Sequence, residues 1–61
     1  MAKVGDTIMI QEMLDEDNYT NRMGVITHID DDGQIHGTWG GLAVIPEKDK
    51  FIVLKGEENG K

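Results

Sequence analysis

The 61 residues carry 12 acidic and 6 basic side chains, a formal net charge of -6 with a pI near 4.5. A chain of this length makes one small domain that buries only about 60% of its unfolded surface, which leaves little room for an enclosed active-site cleft. With no cysteine there is no disulfide, thiolate nucleophile or thiolate metal site, and the scattered cations lack the clustering that a phosphate backbone requires.

Hydrophobic residues recur mostly with period two, broken by glycine and acidic turns, which predicts an all-β domain. Residues 4–6 read as a turn. Residues 7–13 form the first predicted strand, with Ile8 and Ile10 on one face. Residues 14–22 form a long polar loop holding Asp15, Glu16, Asp17 and Tyr19. Strands follow at 24–30 and 34–39, then a Gly40-Gly41 turn and a short strand at 42–45. Pro46 ends that strand because it has no N–H to donate. Residues 47–50 suit one 3₁₀ turn, and 51–55 form the closing strand. Residues 1–56 are therefore expected to form one barrel domain, and 57–61 a flexible acidic tail. The longest apolar run, Leu42 through Ile45, is far too short to span a membrane, and the first residues lack the apolar core of a signal peptide. A cytoplasmic protein without membrane contact is the expectation.

The central hairpin is specified more closely. Ile29 and Ile35 should share the buried face, and opposed residues of an antiparallel pair do so. Pairing them leaves Asp31-Asp32-Gly33 as a three-residue loop, with Gly33 in the left-handed position. The register places His28 beside His36 and Asp30 beside Gln34 on the outer face, and Val25 beside Trp39 inside. Gly37, opposite Thr27, leaves space for a bulge or a bend. The expected core is Val4, Ile8, Ile10, Val25, Ile29, Ile35, Trp39, Leu42, Val44, Phe51 and Val53. The facing of Ile26, Ile45 and Ile52 stays open.

The run Gly24-Val25-Ile26, Ile29-Asp30-Asp31, Gly33-Gln34-Ile35-His36, Trp39, Gly41-Leu42-Ala43, Ile45-Pro46 and Asp49-Lys50-Phe51 resembles a family of short bacterial, phage and conjugative-element proteins classed as a domain of unknown function. The likeness covers roughly residues 4–54. It implies a small five-stranded SH3-like barrel and a mobile-element or phage setting, and it brings no catalytic residues. The chain departs from the family pattern at 18–22, which lacks prolines, and at Gly37, where a branched apolar residue is usual.

Three constellations could carry chemistry. His28, His36 and Asp30 supply two imidazoles and a carboxylate, a minimal set for a divalent metal, against the plainer reading of solvent-facing polar residues on a hairpin. Asp30, Asp31, Asp32 and Gly33 partly fit a calcium-loop spacing, but Trp39 occupies the place of its closing glutamate. Asp15, Glu16 and Asp17 cluster in the first loop, where solvent keeps carboxylates ionised and unsuited to general-acid work. The chain has no serine, and no glycine run opens a helix to cradle phosphate. No cofactor is expected.

The sequence thus reads as a non-enzymatic protein-interaction module. Its partner-binding candidates are Asp15, Glu16, Asp17, Tyr19, Asp30, Asp31 and Asp32, facing a basic protein. A related reading is an acidic inhibitor filling the basic nucleic-acid groove of a host defence protein. Another is a weak single-strand nucleic-acid or small-ligand binder using Tyr19 as a surface aromatic. Nucleic acid is disfavoured by the charge. Either a monomer or a homodimer through a strand edge fits the pattern.

Overall fold

A computed structural model describes residues 2–55 of the chain. Strands β1 (Thr7–Glu12), β2 (Met23–Ile29), β3 (Ile35–Gly37) and β4 (Lys50–Lys55) form one antiparallel sheet in the order β3-β2-β1-β4. The only helical element among the described residues is a 3₁₀ turn at Asp17–Tyr19, so the all-β expectation holds. The expected tail at 57–61 lies outside the described residues. None of the described helices is long and apolar enough to cross a membrane.

Four strands appear among the described residues where five were expected. The predicted strand at 42–45 shrinks to one bridge, in which Val44 and Ile35 exchange hydrogen bonds of 2.7 and 2.8 Å. Its neighbours explain this. The Trp39 indole N–H donates to the Leu42 carbonyl at 2.8 Å and holds 39–42 in a tight bend. Pro46 then starts the next turn, leaving room for a single extended residue pair. That turn is closed by the Lys48 and Asp49 N–H groups donating to the Ile45 carbonyl. Within the described residues the two ends of the sheet, β3 and β4, do not pair.

The hairpin follows the expected register. Ile29 faces Ile35 and His28 faces His36. The Asp30 N–H donates to the Gln34 carbonyl at 3.0 Å, and Gly33 takes φ 83° at the left-handed position. Beyond His28 the register slips. Thr27 is an extra residue in β2, so Ile26 rather than Thr27 stands opposite Gly37. A one-residue insertion exchanges the faces of a strand. Ile26 is therefore buried and Val25 exposed, and the expected inward Val25–Trp39 pair does not form. The Val25 N–H instead donates to Thr38 Oγ1 at 3.0 Å.

The core consists of Ile8, Ile10, Met13, Tyr19, Ile26, Ile35, Trp39 and Val44, with Ala2, Ile29 and Phe51 packed against it. Val4, Val25, Leu42 and Val53 were expected inside and are exposed. In the turn before β1 the buried place belongs to Asp6, which accepts the Lys3 N–H at 3.0 Å. Val53 lies on the edge strand β4, with no described strand to cover its outer side. Met13 and Tyr19 were read as a strand end and a surface ring, yet both are in the core. The chain turns at Leu14 and Asp15, where Asp15 takes φ 63°, and the 3₁₀ turn directs Tyr19 inward.

Candidate functional site

The candidate residues fall into two groups at opposite ends of β2. Asp15, Glu16, Asp17 and Tyr19 lie in the loop that precedes Met23, whereas Asp30, Asp31 and Asp32 lie in the loop that follows Ile29. A single acidic surface from both loops is therefore not formed by adjacency in the hairpin.

At the hairpin end, Asp30 organises the turn. Its Oδ1 accepts the N–H groups of Asp32 and Gln34, both at 3.0 Å, and its Oδ2 lies 3.0 Å from His36 Nε2. The His28 ring packs against His36 at a centroid distance of 5.6 Å. Among the described residues no three His, Cys, Asp or Glu side chains are arranged to hold a metal ion. The weak metal candidates His28, His36 and Asp30 are joined by a carboxylate–imidazole hydrogen bond and a ring contact. Asp31 and Asp32 point to solvent as exposed turn residues.

The His36 hydrogen bond, followed by that from the Gln34 N–H, holds the Asp30 carboxyl below its ordinary pKa of 3.8. A depressed folded-state pKa contributes stability that is full above the unfolded value. That contribution is lost as pH falls through the lowered folded value. Asp30→Asn is expected to flatten this part of the acid limb. Thermal melts of both proteins from pH 7 downward would read it, and parallel acid limbs would contradict it.

At the other end, Tyr19 is only 8% exposed and serves as a floor rather than a free stacking platform. The Arg22 guanidinium sits 4.1 Å from the Tyr19 ring centroid. Its Nη1 donates to the Trp39 carbonyl at 2.8 Å and its Nε to the Asn18 carbonyl at 3.2 Å. This lock leaves the loop carboxylates outward: Asp15 and Asp17 are exposed and Glu16 half-buried.

Beside these carboxylates runs a groove of about 240 Å³, whose walls include Leu14, Glu16, Leu42, Ile45 and Lys48. Leu14 is 55% exposed and Leu42 41%, so two large apolar side chains meet solvent next to the acidic loop. Asp49, 7% exposed, ties the two walls together. It accepts the Leu14 N–H on Oδ1 at 2.9 Å and the Ile45 N–H on Oδ2 at 2.8 Å.

No known protein family, curated protein or solved structure matches the chain. The site is thus defined by its own geometry. Sequence reasoning placed the first-loop acids correctly at the surface and missed the groove beside them. Leu14, directly before the acidic run, carried the one available signal: a large apolar residue in an otherwise polar loop. Leu42 was assigned to the core because its run looked like a strand.

Proposed function

We propose that this chain is a small, acidic, non-enzymatic protein-interaction module with an SH3-like arrangement. Its groove beside the first loop receives a basic segment of a partner that also carries apolar side chains. The strand order β3-β2-β1-β4, with Val44 bridging the outer side of β3, is what supports the SH3-like reading. One observation carries the functional reading: exposed Leu14 and Leu42 share a groove with Glu16, and Asp15 and Asp17 stand beside it. Apolar anchors ringed by charge are the usual composition of a docking surface, the anchors supplying affinity and the charges steering the encounter. On this reading the chain serves a mobile element or phage, and the owner of the basic segment is a nucleic-acid-binding host protein, whose groove the acidic loop would fill in place of phosphate.

The test is a calorimetric titration with a peptide of alternating lysine and leucine. Neutralising the loop with Asp15→Asn, Glu16→Gln and Asp17→Asn keeps the fold, since asparagine tolerates the φ of 63° at position 15. Binding is expected to weaken at least tenfold. Asp31→Asn with Asp32→Asn, at the far end of β2, is expected to change it less than twofold. Equal losses from the two variants, or none from the first, would overturn the reading.

A further inference from the structure

The outer edge of β4 is a second and independent surface, and the backbone pattern says which of its groups are available. In β1, the Ile10 N–H donates to the Arg22 carbonyl at 2.8 Å, and the Ile10 carbonyl accepts the Asn21 N–H at 2.7 Å. The Asp6 carbonyl likewise accepts the Ile26 N–H at 2.9 Å. Even-numbered residues of β1 therefore turn their backbone groups toward β2, and Met9 turns its own toward β4. Met9 stands opposite Ile52. In an antiparallel ladder the backbone groups alternate in direction from residue to residue. Ile52 thus bonds to β1, while the N–H and C=O of Phe51 and Val53 point to the open side. β4 is the last strand of the sheet, and no described strand lies beyond it.

Two further features surround that edge. Phe51 shares the core face with its partner Ile10, and it lines an apolar groove of about 300 Å³ together with Ala2, Ile29, Gly33, Ile35 and Pro46. Ile29 and Ile35 belong to the hairpin at the other end of the sheet order, so the groove occupies the gap where the sheet fails to close. None of its described lining residues is charged. The second feature is cationic. β4 begins at Lys50 and ends at Lys55, and Lys48 precedes it as an exposed residue. The Lys50 side chain is 75% exposed and forms an exposed ion pair with Glu12 at 4.0 Å. Lysines on an edge strand oppose pairing with an identical strand, because the ribbon would then gather four of them.

We propose that the β4 edge accepts an extended segment of a partner protein that is apolar in its centre and acidic at its flank. The segment pairs with the outward-pointing backbone groups of Phe51 and Val53 and lowers one inward side chain into the apolar groove. Its flanking carboxylate meets the exposed Lys50. This is strand addition, with main-chain bonds giving affinity and alternate side chains giving specificity.

The experiment is an amide NMR titration of the full chain with the capped peptide Glu-Val-Thr-Val-Thr-Glu. In the free protein the Phe51 and Val53 amides should exchange rapidly and Ile52 slowly. Peptide should shift Phe51 and Val53 and slow their exchange at least tenfold. The lysine-flanked peptide Lys-Val-Thr-Val-Thr-Lys should bind at least tenfold more weakly, and Lys50→Glu should erase that preference. Val53→Pro removes only an outward N–H, so it should abolish binding while Ile52 stays protected. Equal binding of the two peptides, or no shift at millimolar peptide, would overturn the proposal. So would slow Phe51 and Val53 amides in a concentration-dependent dimer of the chain alone, which would make a second copy the occupant.

Discussion

Asp49→Ala is expected to destabilise the protein by about 2–4 kcal/mol, measured by chemical denaturation. The carboxylate accepts two backbone N–H groups, from Leu14 and Ile45, across 35 and 4 residues of sequence. Hydrogen bonds to a charged acceptor contribute about 1.5–3 kcal/mol each, and both are only partly buried, which lowers the sum. A domain with one core of this size rarely exceeds about 3–5 kcal/mol in total, so the variant should sit near its unfolding threshold. Asp49→Asn keeps one acceptor oxygen and should lose roughly half as much. A change under about 0.5 kcal/mol for alanine would show that the two groove walls hold together without this clamp.

Gly37→Val is expected to cost at least about 3 kcal/mol. A Cβ at position 37 would overlap the Trp39 ring at Cζ3 and approach its Cη2 and the Val25 carbonyl oxygen at 2.5 Å. Trp39 is 4% exposed and cannot swing away without giving up its place in the core and its indole bond to Leu42. Displacing a buried tryptophan is of the order of removing it, about 3–5 kcal/mol. The space that a branched side chain would need at position 37 is taken by the Trp39 ring. A valine variant that melts with the wild type would mean the ring has another place to go.

These two residues show where sequence reasoning reached and where it stopped. The hairpin was legible because its rules are local: Ile29 and Ile35 share a face, and Gly33 supplies the left-handed residue three positions after Asp30. The same local logic failed one step further on. Gly37 signalled room for a bulge opposite Thr27, and the register does slip there, but no local rule says that the slip turns Val25 outward and Ile26 inward while the Trp39 ring lies against Gly37. Asp49 fell within the expected 3₁₀ turn at 47–50 and was given no role there. Its role depends on an N–H 35 residues away, which no pattern in the turn encodes. Tyr19 was misread for the same reason, because its burial is fixed by Arg22 and the approach of Gly40 to its hydroxyl. For the candidate site, the acidic loop was visible as composition. The groove that gives it direction arises only when Leu42, pushed out of a strand by the bend at Trp39, comes to rest near Leu14.

The central claim is that partners dock at the first-loop end of the molecule rather than wherever the net charge of -6 happens to be densest. The most direct measurement is a map of amide shifts as the lysine–leucine peptide is added to the full chain. Shifts are expected to concentrate at 13–16, 42–45 and 48–49, and to shrink in the loop-neutralised variant. Shifts centred on the hairpin at 30–34, or spread evenly over all exposed carboxylates, would contradict it and reduce the acidity to a means of staying dissolved.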